Sequence, residues 1–177
     1  MQTPAYSATD ALAQSAFAAV IGALSRPGTI HRLPQAGPLQ LVETLIDRDT
    51  TVCCQVPRLA DALDHAGARH VPLPQAEHVF LADAEDLPVA IPDLATGSAL
   101  YPDRGATVIL PVRLTGGPAL RLTGPGIENE ARMTPAIPPE TWALRDGRAT
   151  YPQGFELLLI EGDRIMALPR STRVEVI

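Results

Sequence analysis

Arginine side chains in two proline-containing loops are the strongest candidates for chemistry in this 177-residue chain. One loop, Ser25-Arg26-Pro27-Gly28, follows a helical pattern, and the other, Pro169-Arg170-Ser171-Thr172-Arg173, follows an apolar strand pattern. Guanidinium groups bind phosphates and carboxylates through paired hydrogen bonds. If the loops lie apart, their arginines are salt-bridge partners at a surface or an interface. If the loops lie together, they predict an anion site formed by Arg26, Arg170, Ser171, Thr172 and Arg173.

The basic residues are all of one kind, because the 14 of them are arginines and the chain contains no lysine. Pyridoxal phosphate needs a lysine to form its Schiff base, and a P-loop needs one to reach the nucleotide phosphates. A lysine of lowered pKa is also the usual amine base. These three mechanisms are therefore excluded.

Other residues that could do chemistry lack the spacing that it needs. The four histidines, at positions 31, 65, 70 and 78, form no zinc-binding pair, and no Cys-x-x-Cys occurs. No serine lies in a Gly-x-Ser-x-Gly setting. The adjacent Cys53 and Cys54 would point to opposite faces of a strand, so we expect buried thiols and no disulfide between them. We predict no catalytic residue, no metal and no cofactor.

Two further short motifs are interpreted as turns. Asp47 and Asp49 could form a carboxylate pair or a magnesium site, but two such residues between a helix and a strand are typical of a solvated turn. Gly124-Pro125-Gly126 could bring backbone close to an anion, yet it lacks the spacing of a dinucleotide-binding loop and precedes an extended sequence.

Alternating helices and strands must position the two arginine loops. Phe17, Val20, Ile21 and Leu24 recur at helical spacing and predict a first helix with one apolar stripe, capped by Ser7 or Thr9. Helices are also predicted over residues 39–46, from Pro57 to Gly67 and after Pro138. Strands are predicted over residues 51–56 and 78–82, and the irregular stretch 83–105 could hold a short helix over residues 87–95.

The second half of the chain predicts antiparallel pairs. Residues 107–110 and 119–122 are apolar and flank Gly116-Gly117, which predicts a hairpin whose second strand is an edge that a partner could cover. Residues 155–160 and 164–168 flank Glu161-Gly162-Asp163 and predict a second hairpin. Parallel crossovers early and hairpins late together indicate one α/β domain over residues 1–177, with a mixed sheet flanked by helices.

Composition and the first residues indicate which partners and which cellular location to expect. Its net charge of −6 argues against nucleic acid, which requires a basic face. No run of about 18 apolar residues occurs, so no membrane span is expected. The first residues show neither a basic segment nor an apolar segment of a secretory signal, which predicts a cytoplasmic protein.

Five short motifs, in this order along the chain, resemble the PhnH family, a subunit of the bacterial carbon-phosphorus lyase system. Phe17 precedes the first of them. They are Ala23-Leu24-Ser25-Arg26-Pro27-Gly28, Thr44-Leu45-Ile46-Asp47, Pro102-Asp103-Arg104-Gly105-Ala106-Thr107, Leu122-Thr123-Gly124-Pro125-Gly126-Ile127 and Leu168-Pro169-Arg170-Ser171-Thr172-Arg173.

The resemblance implies an accessory subunit without activity of its own. With the G and L subunits, it would support the I subunit in forming ribose 1-methylphosphonate 5-triphosphate from ATP and methylphosphonate. It further implies a homodimer whose contact surface can engage the J subunit, in a complex with G, I and J. The implied fold resembles the large domain of pyridoxal-phosphate-dependent transferases, without the cofactor.

Two hypotheses follow for the function. The preferred one is a non-catalytic subunit, because of the family resemblance and because the sequence shows no signature of a metal site, a catalytic nucleophile or a phosphate-binding loop. The alternative is an enzyme or sensor that binds a phosphonate or a phosphate ester through Arg26, Arg170 and Arg173. Ser171 stands where the family more often has threonine, and Tyr101-Pro102-Asp103 departs from the family pattern at its loop.

Overall fold

The first helix, α1, covers Ala8–Ser25, and Ser7, one of the two predicted caps, is its N-cap. A computed structural model describes residues 7–177 of the chain. The Ser7 hydroxyl accepts a hydrogen bond from the amide of Asp10, and the Asp10 carboxylate accepts one from the Ser7 amide. This exchange satisfies amides that the first helical turn leaves without partners. The helix ends before Pro27-Gly28, where Gly28 has a φ of 83°.

Four shorter helices follow, each near a position that the sequence predicts. Pro57 opens a single 3₁₀ turn, Pro57–Leu59, before the third helix, and Gly67 ends that helix with a φ of 79°. The irregular stretch 83–105 holds the fourth helix and further short 3₁₀ turns. The helices are α2 (Leu39–Leu45), α3 (Ala60–Ala66), α4 (Asp86–Ala90) and α5 (Glu140–Arg148).

The strands form two sheets. Residues 7–177 contain β1 (His31–Arg32), β2 (Thr51–Cys54), β3 (Arg69–His70), β4 (His78–Phe80), β5 (Thr107–Pro111), β6 (Leu120–Thr123), β7 (Ala131–Met133), β8 (Glu156–Glu161), β9 (Arg164–Leu168) and β10 (Arg173–Val176). The larger sheet has the order β1-β9-β8-β5-β4-β2-β3, and the smaller one β10-β6-β7. Strands β8, β5, β4, β2 and β3 are parallel, whereas β9 is antiparallel to both of its neighbours. The predicted α/β class with a mixed sheet is confirmed, as is the hairpin of β8 and β9.

The predicted hairpin of β5 with β6 is wrong. Strand β5 lies between β4 and β8, and β6 pairs with β7 and β10 in the other sheet, so β6 is not an edge either. The connection between them leaves the main sheet because Leu114 donates its amide to the Glu161 carboxylate and Gly117 donates its amide to the carbonyl of Thr134. Gly116 and Gly117 therefore lie where the chain leaves the main sheet and do not form a tight hairpin turn.

Side chains on the main sheet alternate between two cores. In β8, Leu157 and Leu159 face one core while Leu158 and Ile160 face the other. One core is covered by α1, α2 and α3, and the other by α4, α5 and the smaller sheet. The strands are apolar on both faces because the sheet is covered on both. The smaller sheet thus covers the same core as α5 and lies next to the 169–173 loop.

The buried face of α1 differs from the predicted stripe. It consists of Ala16, Ala19, Val20 and Ala23, whereas Phe17 and Ile21 are 52% and 45% exposed. Small side chains allow the helix to approach β9 and α2 closely, so the larger apolar residues turn outward. By length and mean hydropathy (1.2), α1 would also be able to cross a membrane. The expectation of no membrane span therefore stays a prediction.

The two cysteines are partly buried rather than fully buried as predicted, and both are free thiols. Burial raises the pKa of the Cys53 thiol, and it also raises that of Cys54. Both thiols are therefore poor nucleophiles near neutral pH, because the thiolate is the reactive form.

Candidate functional site

Each of the two arginine loops contacts the turn Gly124-Pro125-Gly126. A Cβ atom built on Gly126 would lie 2.2 Å from the carbonyl oxygen of Ser25, and one on Gly124 would lie 2.8 Å from that of Ser171. Real Cβ atoms do not come so close to a carbonyl oxygen. The glycines are therefore required for contact between a loop near the start of the chain, this central turn and a loop near its end.

Arg170, a predicted site residue, is already engaged within the protein. Its backbone amide and its Nε donate to the two oxygens of the Glu156 carboxylate, at 2.7 and 2.5 Å, and its Nη1 donates to the carbonyl of Pro102. The Arg170 and Glu156 side chains are only 14% and 18% exposed. This geometry fastens the 169–173 loop to β8 and to the 102–104 turn.

The other predicted residues have different surroundings. Arg26 is exposed, and within residues 7–177 its side chain has no hydrogen-bond partner. Thr172 is 2% exposed, while Arg173 is exposed at the start of β10. Four of the five predicted residues, all but Arg26, line a cavity of about 320 Å³. The residues that line it are Arg145, Asp146, Ala149, Tyr151, Arg170, Ser171, Thr172 and Arg173. We call it the α5 cavity.

Arg145 is a further residue of the α5 cavity that the sequence analysis did not single out. It lies on α5 and is 1% exposed; its Nη1 donates to the carbonyl of Thr172 at 3.0 Å and its Nη2 to that of Pro169 at 2.7 Å. Burial lowers the pKa of Arg145 from its ordinary value. A signal was available, because Arg145 follows the buried Trp142 by three residues and therefore lies on the same helical face.

The predicted turn around Asp47 has a defined geometry. The Asp47 carboxylate accepts hydrogen bonds from the Asp49 amide at 3.0 Å and from the Thr50 hydroxyl at 2.8 Å, and these bonds lower the Asp47 pKa. A cavity beside it is lined by Glu77, His78 and Asp103, among others. Within residues 7–177 no group of three or more His, Cys, Asp or Glu side chains is placed to hold a metal ion.

Stability is expected to depend on the protonation of His78, whose Nδ1 is buried and has no partner within residues 7–177. Desolvation lowers its pKa below 6.5, although Glu77 and Asp47 act in the opposite direction. The native state then binds fewer protons than the unfolded chain, so stability is present above about pH 6.5 and is lost as the pH falls toward the folded-state pKa. Urea unfolding at about pH 7.5 and about pH 5.5 measures this loss.

The substitution His78→Gln should reduce the difference in unfolding free energy between the two pH values. The matched change His65→Gln, at an exposed histidine, should leave that difference as in the wild type. Equal pH dependence in wild type and His78→Gln would contradict the assignment.

Comparison with known proteins shows the relationship of the whole chain. The sequence model described as "Bacterial phosphonate metabolism protein (PhnH)" matches residues 4–175. The chain belongs to the PhnH family. It is 36% identical over 170 residues to a Stutzerimonas stutzeri protein named as C-P lyase subunit protein HtxG, with 92% of this chain and 86% of the relative covered. The resemblance found in the sequence is thus confirmed.

A second PhnH relative, from Rhizobium meliloti (strain 1021), is 34% identical over 190 residues, with 92% of this chain and 90% of the relative covered. It is named alpha-D-ribose 1-methylphosphonate 5-triphosphate synthase subunit PhnH. The PhnH match includes the three loops that meet at Gly124-Pro125-Gly126 as well as the α5 cavity.

Proposed function

We propose that this protein is a non-catalytic subunit of a carbon-phosphorus lyase complex and acts in phosphonate catabolism. It supports the formation of ribose 1-methylphosphonate 5-triphosphate from ATP and methylphosphonate by its partner subunits. The observation that carries this proposal is the PhnH family match over residues 4–175, together with relatives named as subunits of such an assembly. The use of Arg145 and Arg170 to hold the 169–173 loop supports a structural role.

The finer parts of this proposal concern fold, location and partners. The protein is a single domain over residues 1–177 that resembles the large domain of pyridoxal-phosphate-dependent transferases, and it acts in the cytoplasm with the G, I and J subunits. A chain without lysine could not form the internal aldimine of those transferases, so the likeness would concern architecture alone.

We propose that the isolated protein is a homodimer, and that the same surface engages the J subunit in the complex. The exposed face of α1 is the surface we assign to this contact. Phe17 and Ile21 lie one helical turn apart there, and exposed apolar side chains grouped in this way are typical of interaction sites. Glutamate at both positions would place two charges in the contact, which an interface core disfavours.

Purification of the protein alone and co-expressed with tagged G, I and J subunits tests the proposal. We expect a particle of twice the chain mass of 18.8 kDa by light scattering, and co-elution with the tagged subunits. The double variant Phe17→Glu/Ile21→Glu should give the mass of one chain and lose the J subunit.

The matched control is Val89→Glu, where the replaced side chain is 78% exposed and lies on α4, which covers the other core from α1. It should behave as the wild type in both measurements. A wild-type chain that stays apart from all co-expressed subunits would overturn the subunit role. Retention of the dimer by the α1 variant would overturn only the assigned surface.

A further inference from the structure

A hydrogen-bonded turn in the irregular 83–105 stretch presents an apolar side chain to solvent. Leu100 is 85% exposed, more than any other large apolar side chain of residues 7–177. The Ser98 amide donates to the Tyr101 carbonyl at 3.1 Å, and the Tyr101 amide donates to the Ser98 hydroxyl oxygen at 3.1 Å. These two bonds close the turn and leave Leu100 at its tip.

The turn is fastened to a neighbouring loop, residues 149–154. The Thr96 carbonyl accepts a hydrogen bond from the Gly154 amide at 2.9 Å, and the Gly97 carbonyl accepts one from the Gln153 side chain at 3.1 Å. A Cβ atom on Gly97 would lie 2.6 Å from the carbonyl oxygen of the last turn residue, so a larger residue would disrupt the turn. A loop that is ordered before binding loses less conformational entropy when a partner docks on it.

The two fastened loops each carry an exposed tyrosine. Tyr101 is 54% exposed in the turn, and Tyr151 is 73% exposed in the 149–154 loop. Tyrosine is enriched at contacts between proteins, because its ring buries a large area while few rotatable bonds are immobilised. We use the name Leu100 patch for Leu100, Tyr101, Tyr151 and the adjacent Arg104.

Arg104 gives the Leu100 patch a positive charge. Its guanidinium carbon lies 4.8 Å from the centre of the Tyr101 ring, and within residues 7–177 it forms no ion pair. The adjacent Asp103 does not neutralise it, and lines a different cavity with Asp47. A guanidinium that stacks on a ring can still donate from its edge to a carboxylate. The Leu100 patch thus combines apolar side chains with one unpaired cation.

The charge on Arg104 favours a different protein over a second copy of this chain. An apolar cavity of about 250 Å³ on this chain could receive a side chain such as Leu100. The residues that line it are Ala36, Gly37, Pro38, Leu39, Leu59 and Arg58. Arg58 is exposed there and would meet Arg104 with a like charge, which disfavours the contact. A fitting partner instead has a carboxylate at the rim of its apolar pocket.

The Leu100 patch is separate from the α1 face assigned above. Leu94 and Ala106, which enclose the segment with the turn, belong to the core covered by α4 and α5, whereas α1 covers the other core. A partner on the exposed face of α1 therefore leaves the Leu100 patch available to another protein.

We propose that the Leu100 patch is a second docking surface, which binds a protein subunit that offers an apolar pocket with a carboxylate at its rim. Leu100 enters the pocket, Tyr101 and Tyr151 pack around it, and Arg104 pairs with the carboxylate. A few side chains, with tyrosine and arginine prominent among them, usually supply most of the binding energy of an interface. This inference rests on the proposed subunit role and adds a contact that α1 does not make.

Co-expression with tagged G, I and J subunits tests the Leu100 patch in the α1 variant, Phe17→Glu/Ile21→Glu, from which the J subunit is lost. We expect the α1 variant to keep at least one other subunit through the Leu100 patch. Addition of Leu100→Asp should weaken that binding about tenfold or more, because it places a charge in an apolar pocket. The matched control, Val89→Asp in the same α1 variant, replaces a side chain of similar exposure on α4 and should leave binding unchanged.

The substitution Arg104→Gln tests the carboxylate of the partner. In the α1 variant it should weaken binding about fivefold and make the remaining binding less sensitive to salt, since an ion pair at the rim is screened by salt. Arg113→Gln removes the same charge from an exposed residue outside the Leu100 patch and should change neither quantity. Loss of apolar packing alone would not alter the salt dependence.

Three results would overturn the proposal while leaving the subunit role intact. The α1 variant could elute without any subunit, or Leu100→Asp could bind as strongly as Val89→Asp. In the third, Leu100→Asp in the wild-type chain would halve the mass found by light scattering, which would assign the Leu100 patch to a second copy. A wild-type chain that elutes apart from all subunits would instead overturn the subunit role and this contact with it, so the two failures can be told apart.

Discussion

Replacement of Arg170 by methionine is expected to lower the free energy of unfolding by about 3–5 kcal/mol. The substitution leaves the Glu156 carboxylate, 18% exposed, without the guanidinium that neutralises it. It also removes the donor to the Pro102 carbonyl, which joins the 169–173 loop to the 102–104 turn. Removal of one partner from a buried ion pair is strongly destabilising because the other charge stays buried. Urea unfolding measures the loss.

The matched control for Arg170 is Arg132→Met, which breaks the ion pair with Glu130. Those side chains are 69% and 40% exposed, so the expected loss is only about 0–1 kcal/mol. In the double variant Arg170→Met/Glu156→Gln part of the loss should be recovered, because no buried charge remains unpaired. If Arg170→Met unfolds like the control but loses affinity for phosphate, Arg170 is a ligand residue and not a structural one.

The second large effect is expected from Gly126→Ala, which should destabilise the protein by about 3 kcal/mol or more. Gly126 has a φ of 82°, a conformation that disfavours any side chain, and its Cβ would lie 2.2 Å from the carbonyl oxygen of Ser25. The backbone at one of the two loops has to move. Because the same turn touches Ser171 through Gly124, we expect the loss to include weaker packing around the α5 cavity.

Two other glycines separate the contributions to this loss. At Gly37, with a φ of 89°, nothing lies within 4 Å of the Cβ position, so Gly37→Ala should lose only the backbone contribution of about 1–2 kcal/mol. Gly147 lies inside α5 with open space around it, and Gly147→Ala should stabilise the protein by about 0.5–1 kcal/mol. A Gly126→Ala loss no larger than that of Gly37→Ala would show that the close contact with Ser25 is unimportant.

Most of the helices and strands could be predicted from the sequence because their signals are local. Ser7 and Gly28 mark the ends of α1, and Pro57 and Gly67 enclose the third helix, since caps and breakers act within a few residues. The hairpin of β8 and β9 was predicted for the same reason. Strand β3 was missed because two residues of an edge strand carry no periodic pattern.

The pairing of β5 and β6 and the face of α1 depend on distant residues. The Leu114 amide donates to Glu161, which lies 47 positions further along the chain. The turn sequence at Gly116 contains no information about that distant partner. The apolar residues of α1 do recur at helical spacing, but the face with the alanines is the buried one. Alanines allow α1 to pack closer to its neighbours than Phe17 and Ile21 would. The size of the side chains decides which apolar face of a helix is buried, and a hydrophobicity pattern alone does not show this.

Both arginine loops could be singled out from the sequence, but the roles of their side chains could not be predicted. The loop at Arg26 and the 169–173 loop each contact the Gly124-Pro125-Gly126 turn, but Arg26 does not line the α5 cavity. The direction of each guanidinium depends on distant partners, such as Glu156 for Arg170. Whether the residues predicted there bind an anion stays a prediction.

The two ends of the larger sheet determine how this protein can be assembled with others. Its edge strands, β1 and β3, are two residues long, and each consists of one arginine and one histidine. Short edges that carry charged side chains offer a poor template for an incoming strand. The larger sheet is thereby protected against extension from one molecule into the next, even at the high local concentration within a multisubunit particle. Partner subunits would have to dock elsewhere, on helices, on loops or on the smaller sheet with its edge strands β10 and β7.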